Sequence, residues 1–515
     1  MPHRLTTRIL SSCLFLLLSS CSQPPAPLVS TATPPPSPTS PPPTNPALPT
    51  ETSTAVSTVT PDLPRPQYGL DLQLNYLTKA ATVSETIRYP NWTGETLNDL
   101  VLAVEPNLWS GGFSLKSLAI EDQPVTNYKL ENLSQRLDVP LPQPLQPSST
   151  LTIVITYGLI LPQMQAYSNP NEVRPQIYGY SEKQVNFVDW YPFVVPYVPG
   201  KGWLLHNPWF YGEHLVYDEA DFDVTVTVTG ANPQVAASGA EDKPTLSEVI
   251  STVTPQPTPS GPVTHHFTMA EGRTFAISMS DYFKVATQTV GDVTVYAYYF
   301  GIYNASGEAL LQTTVEALQT FSQKFGPYRH KTLTAVQGDF NDGMEFSGLY
   351  FISRDYFNLY DGTPKNYLVT IAAHETAHQW WFDAVANDQA LEPWLDEALA
   401  TYSERIYYEM VHPDLVDWWW SYRYFEFLKA GYVDTSIYDG GGQRPYWDKV
   451  YLTGARFLED LRTRVGDEIF FAFLKDYYTQ YTGKRAAGAD FFRLFHEHTA
   501  ADIADLLAKY FQNTY

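Results

Sequence analysis

The sequence predicts an α+β multidomain protein: an N-terminal antiparallel β-sandwich-like domain over residues 67–300, then a mainly helical domain over residues 301–515. Two changes of texture carry this prediction. From Gln67 to Phe300 apolar residues recur with period two, as in Asp71-Leu72-Gln73-Leu74-Asn75-Tyr76, Leu151-Thr152-Ile153-Val154-Ile155 and Phe222-Asp223-Val224-Thr225-Val226-Thr227-Val228. Strands with one face in a core show that spacing. After Asn304 the spacing becomes three and four, with Leu311, Val315, Leu318, Phe321 and Phe325 on one helix face closed by Gly326-Pro327.

The first 66 residues belong to neither domain. Arg4 and Arg8 form a short basic stretch, Ile9–Leu18 an apolar one, and Leu18-Ser19-Ser20 lead into Cys21. Residues 1–20 therefore read as an export signal, too short in its apolar part to span a bilayer permanently. Leu18-Ser19-Ser20-Cys21 resembles the bacterial lipobox, which implies a lipidated Cys21 and a protein anchored at the membrane of the cell envelope; an ordinary signal peptide containing Cys21 is the alternative. Residues 22–66 hold 15 of the 41 prolines. Proline removes backbone donors and favours extended polyproline II, so residues 21–66 are expected to be a disordered tether behind the lipid.

Within the β domain, Pro/Gly/Asn turns separate the strands, and Pro255–Pro262 is expected to form a long loop. His265-His266 suggests metal binding, but neighbours on a strand point to opposite faces. The helical domain is expected to contain helices over Asn366–Ala386, Glu397–Met410, Asp417–Ala430, Tyr451–Val465, Glu468 to about Tyr478, and Ala500–Phe511. The aromatic cluster Trp418-Trp419-Trp420, Tyr422, Tyr424 and Phe425 fits either a substrate-pocket wall or the core, the commoner place for aromatics at helical spacing.

Composition excludes several classes. With 32 Lys+Arg against 55 Asp+Glu the formal charge is −23, which argues against nucleic acid as a partner and against a basic lipid-binding patch. Two cysteines, both in the first 21 residues, exclude a disulfide scaffold and a cysteine-rich zinc module.

The sharpest motif is His374-Glu375-Thr376-Ala377-His378. Residues four apart share a helix face, so both imidazoles reach a single metal ion. Imidazole and carboxylate suit one zinc ion, with a coordination position left for water. Residues 379–396 separate His378 from Glu397, the third ligand, with Asp396 as its alternative. Glu375 adjoins a ligand without binding, the position of a general base. Glu404, two turns beyond Glu397, either fixes the tautomer of a ligand histidine from outside the coordination shell or is a solvated glutamate.

These residues resemble the zinc aminopeptidase (gluzincin) family of membrane alanyl aminopeptidase and leukotriene hydrolase. Its pattern is H-E-x-x-H, eighteen residues, then Glu in an N-E-G-F-A-T-Y-like run, matched here by Asp396-Glu397-Ala398-Leu399-Ala400-Thr401-Tyr402. His378-Gln379-Trp380-Trp381 resembles its H-Q-W-F, Phe325-Gly326-Pro327-Tyr328 a further segment, and Trp190-Tyr191-Pro192 a weaker one in the β domain. Gly343-Met344-Glu345 resembles G-x-M-E-N, which implies that these residues bind substrate and that Glu345 holds its free α-amine. Tyr451-Leu452-Thr453-Gly454-Ala455 resembles Y-x-x-G-A, which implies that Tyr451 stabilises the tetrahedral intermediate, with Tyr446 as a nearby rival. Departures are Asp342, Phe346, Asp396 and Ala398 where the family has Gly, Asn, Asn and Gly.

The resemblance implies a thermolysin-like catalytic domain and a short lipoprotein member without the C-terminal helical domain of larger relatives. The expected activity is that of a zinc metallopeptidase acting on peptides, foremost an aminopeptidase. The alternatives are an endopeptidase of the same fold and a catalytically silent, peptide-binding surface lipoprotein.

Overall fold

The computed structural model describes residues 65–164, 176–242, 261–425 and 431–515. The export signal, Cys21, all but the end of the tether and most of the 255–262 loop lie outside the described residues.

The β domain is built on an eight-stranded sheet. Its order is Ala240–Glu241, Val263–Gly272, Ala220–Thr229, Gln67–Asn75, Ala80–Pro90, Thr150–Ile160, Phe113–Ile120 and Gln123–Pro124. Alternation works as the sequence implies: Leu72 stands in register with Val83 on one side and Val226 on the other, all three fully buried. The pairing is antiparallel except where Gln67–Asn75 runs parallel to Ala220–Thr229. Two four-stranded sheets, one around Ile277–Ser280 and one around Leu97–Ala103, contribute to the same core. Trp190 anchors that core, its Nε1–H donating to the Phe275 carbonyl at 2.9 Å. His265 and His266 do not share a ligand: His265 pairs with Glu241 at 2.8 Å, His266 with Asp242 at 2.6 Å and Asp223 at 2.9 Å.

A five-stranded sheet joins the domains, in the order Phe283–Val290, Val293–Phe300, Thr332–Gln337, Leu349–Ile352, Met344–Phe346. It takes strands from both sides of position 300. Thr332–Gln337 and Leu349–Ile352 are buried throughout; the second, Leu-Tyr-Phe-Ile, shows no polar alternation and passes unnoticed in sequence. One face, with Val336, Phe346, Leu349 and Phe351, packs into the β-domain core. The other, with Val295, Leu333, Ala335 and Tyr350, packs on helices α1 (Asn304–Lys324) and α3 (Tyr367–Ala377). Between them lies the short α2 (Arg354–Leu359).

Helix α4 (Trp394–Val411) crosses α3, and α5 (Val416–Trp419), α6 (Gln443–Trp447), α7 (Gly454–Val465), α8 (Asp467–Tyr481), α9 (Gly488–His498) and α10 (Ala504–Tyr510) complete the domain. Helices α2, α6 and α9 were not expected. Helix α3 ends at Ala377, not Ala386: after His378 the chain turns, Phe382 takes φ +153°, and the indoles of Trp380 and Trp381 donate to Gly326 O and Ser403 Oγ. The run expected as a helix from Asp417 becomes π-helical over Trp420–Phe425, and Tyr451 lies in a second π-helical stretch, Asp448–Thr453, rather than at the start of an α-helix. Such wide turns occur often at functional sites because they re-aim side chains.

Candidate functional site

The site forms where α3, α4 and the edge strand Met344–Phe346 meet. Asn366 caps α3, its side chain accepting from Leu368 N. One turn apart at the other end of the helix stand His374 and His378. Their Nε2 atoms lie 3.1 Å apart, and Glu397 Oε2, from the first turn of α4, is 3.3 Å from one and 3.5 Å from the other. Donors about 2.0–2.2 Å from a tetrahedral zinc stand roughly 3.4 Å from one another. The three atoms therefore fit a single zinc ion.

Asp396, the alternative third ligand, is turned away and fully buried. Its carboxylate accepts from Asn387 Nδ2 at 3.1 Å, Gln389 Nε2 at 2.9 Å and the Glu397 amide at 3.0 Å. Burial favours the neutral form of Glu397, yet His378 and His374 beside it hold the carboxyl below the usual range.

Glu404 is a buried residue, not a solvated one. Its Oε1 is 2.9 Å from His374 Nδ1, while Arg423 donates to both oxygens at 2.9 and 3.0 Å and Trp419 Nε1–H donates at 2.9 Å. Burial would raise its pKa, but Arg423 and His374 keep it low. His378 is oriented likewise, its Nδ1 3.0 Å from Trp381 O.

Glu375 is buried beside the ligands, and its Oε2 has no hydrogen-bond partner among the described residues. Burial pushes its carboxyl well above the usual range against the pull of His378. Gly343 explains the close fit, because a Cβ there would collide with Glu375 Oε1. Gln379 ties the edge strand to the end of α3, accepting from Gly348 N at 2.9 Å and donating to Phe346 O at 3.0 Å. On that strand Glu345 is 5% exposed and accepts from Gln389 Nε2 at 3.2 Å. Met344, also buried, lines the adjoining cavity.

The Tyr451 ring lies nearly parallel to that of His374, with centroids 6.0 Å apart. Burial and then Glu397 push its phenol well above its ordinary value. Its rival Tyr446 is packed in the core against Tyr211. Gly454 lets the Tyr451 segment approach α4, since a Cβ there would strike Ala398.

Sequence reasoning missed Glu213. Carboxylate oxygens of Glu213, Glu345 and Glu397 lie within 4.8 Å of one another. Glu213 arrives from a β-domain loop with no local motif to mark it. Gln389 and Arg423 also escaped notice, and Trp419 was seen only as part of an aromatic cluster, because their roles exist only through long-range contacts.

The peptidase family M1 domain model matches residues 309–510. The helical part of the chain is thus similar to peptidase family M1 domains, over less than half of the chain. Among curated proteins the chain is 27% identical over 217 residues to aminopeptidase N of Lactobacillus delbrueckii subsp. lactis, covering 38% of this chain and 25% of that one. Aminopeptidase N of Oryctolagus cuniculus is 28% identical over 212 residues, covering 38% of this chain and 21% of its own. The chain thus spans a quarter or less of these relatives' length. Of solved structures, the M1 zinc metallopeptidase from Deinococcus radiodurans superposes with a TM-score of 0.59 at 19% identity, covering 88% of this chain and 95% of that one. The β-rich domain and the helical domain together therefore share that structure's fold.

Proposed function

We propose that this protein is a zinc-dependent aminopeptidase, with His374, His378 and Glu397 holding one zinc ion. The observation that carries the exopeptidase reading is the cluster of Glu213, Glu345 and Glu397 within 4.8 Å. Two of these acids are not in the ligand set. Carboxylates gathered beside a metal site favour a cation, and a peptide's α-ammonium supplies one while fixing the scissile bond one residue in.

Zinc bound there supplies Lewis acidity toward water and toward the scissile carbonyl. The remaining work falls to side chains. Glu345 and Glu213 hold the α-ammonium, and Gly343 and Met344 bring the edge strand against the substrate. Glu375 takes the proton of the attacking water and passes it to the leaving amine. Tyr451 donates its hydroxyl to the oxyanion of the tetrahedral intermediate. Glu404 and the Trp381 carbonyl keep the ligand imidazoles in their tautomers.

The test is hydrolysis of aminoacyl-anilides by purified protein beside its Glu345→Ala variant. An aminopeptidase cuts them and loses most kcat/KM in the variant. Internal cleavage of N-acetylated peptides, untouched by Glu345→Ala, would establish an endopeptidase instead.

For location, we propose a cell-envelope lipoprotein tethered through Cys21 and residues 22–66. Support comes from the lipobox-like Leu18-Ser19-Ser20-Cys21 and the proline excess. Among the described residues no helix is long and apolar enough to cross a membrane. Cys21→Ala should abolish palmitate labelling and move the protein from the membrane to the soluble fraction.

A further inference from the structure

Arg273 follows the β-domain strand Val263–Gly272 and is buried. Its guanidinium makes four hydrogen bonds, and each goes to a main-chain carbonyl. Nε donates to Asp383 O at 2.7 Å, Nη2 to Ala384 O and Lys484 O at 3.1 Å each, and Nη1 to Tyr217 O at 3.3 Å. Three of these acceptors belong to the helical domain. A rigid planar fork suits such a task, because it fixes several carbonyls at once.

Two of the carbonyls stand in the turn that follows α3. There Asp383 N donates back to His378 O at 3.0 Å, and Trp381 O lies 3.0 Å from His378 Nδ1. Between them Phe382 has φ +153°. A bulky residue keeps a positive φ only where its surroundings over-determine it. Arg273 grips the two peptides directly after Phe382. Asp383 is held on other sides as well, by His330 Nε2 2.7 Å from its Oδ2 and by Arg329 Nη1, which donates to Asp383 O at 3.4 Å. Arg273 alone also reaches Ala384 O and Lys484 O among the hydrogen bonds of these three residues.

The main chain of Arg273 is tied elsewhere. Arg273 N and Thr274 N donate to Ser347 Oγ at 2.8 and 3.2 Å, and Ser347 N donates to Thr274 Oγ1 at 3.0 Å. Ser347 directly follows Met344–Phe346, the strand that carries Glu345. One residue is thus fastened by its backbone to the Glu345 strand and by its side chain to the His378 turn. We infer that Arg273 is a positioning residue that sets the spacing between Glu345 and His378, so that the β domain fixes the geometry of a site built mostly on the helical domain. An exopeptidase needs that spacing, since the distance from amine anchor to metal selects the bond that is cut. The Glu345 side of the inference rests on the aminopeptidase reading; the His378 side rests on the zinc ligands alone.

The experiment measures zinc affinity by chelator competition, and kcat and KM on aminoacyl-anilides, for wild type, Arg273→Met, Arg273→Lys and Ser347→Ala. Folding is checked by near-UV circular dichroism. Arg273→Met should weaken zinc binding about tenfold, the low end for groups that orient a ligand from outside the coordination shell. Arg273→Lys keeps the charge without the fork and should fall between Arg273→Met and wild type. Ser347→Ala releases the other end, and should raise KM severalfold while zinc affinity holds. Should Arg273→Met fail to fold, Arg273→Lys decides. Wild-type zinc affinity in the folded Arg273 variants, with only Tm reduced, overturns the role toward His378. A wild-type KM in Ser347→Ala overturns the spacing to Glu345. If wild type cleaves no aminoacyl-anilide while the Arg273 variants still lose zinc affinity, the aminopeptidase reading falls and the clamp on His378 stands.

Discussion

Glu404 Oε1 lies 2.9 Å from His374 Nδ1, so a fully buried carboxylate accepts the free ring N–H of a zinc-ligand candidate. Arg423 closes the arrangement by donating to both Glu404 oxygens. The chain Arg423–Glu404–His374 directs Nε2 at the metal position and makes the imidazole a stronger donor. Glu404→Ala is expected to lower zinc affinity by about 10–100-fold, measured by chelator competition. Arg423→Leu should act in the same direction by leaving Glu404 buried without its cation. Unchanged affinity in both variants would reduce the network to a structural role.

Glu375 and Gly343 form a second testable pair. Glu375→Gln keeps the shape and removes the base, and should cost about 10²–10⁴ in kcat with zinc content unchanged. Gly343→Ala places a methyl where Glu375 Oε1 sits, so it should lower kcat in the same sense without loss of zinc. Full activity in Gly343→Ala would show that the base does not work from this position.

Tyr451 and Gly454 separate the group from its mounting. Tyr451→Phe should lower kcat by about 10²–10³, the usual loss of one oxyanion donor, while KM holds. Gly454→Val drives side-chain bulk into Ala398 beside Glu397 and should lower kcat and thermal stability together. If Tyr446→Phe proves more damaging to kcat than Tyr451→Phe, the assignment moves to Tyr446.

A pH effect is expected far from the site. Glu85 occupies an inward position of Ala80–Pro90 and is fully buried beside Tyr157. Burial raises its carboxyl well above the ordinary 4.5, with the Tyr157 hydroxyl acting against that. The folded state therefore keeps a proton that the unfolded chain releases above about pH 4.5, and stability drops as pH rises from there through the folded-state pKa. Glu85→Gln mimics the protonated form at every pH. Its Tm should match the wild type near pH 4 and exceed it at pH 8. An equal Tm difference at both pH values would sink the explanation.

Much of the fold and of the site is legible in the residues themselves. The i, i+4 spacing of His374 and His378 places two imidazoles on one helix face, a local property of the α-helix. The period-two runs at Gln67–Asn75 and Ala220–Thr229 mark their strands because one face meets water. Where an element is buried on all sides the signal vanishes, as it does for Leu349–Ile352. Helix ends are harder to read: helical spacing continues past Ala377, and only the tertiary partners of Trp380 and Trp381 turn the chain there.

The sequence by itself determined the residue types that fit zinc, their placement on consecutive helices and the position of Glu375 next to His374. Only the tertiary structure separates Asp396 from Glu397, neighbours whose side chains leave the helix in different directions: Asn387 and Gln389 take one, and the two histidines meet the other. It also buried Glu404 and brought Glu213 to Glu345 across more than a hundred residues. Periodicity records which face of an element is covered. What covers it depends on packing between segments whose separation in sequence leaves no local trace.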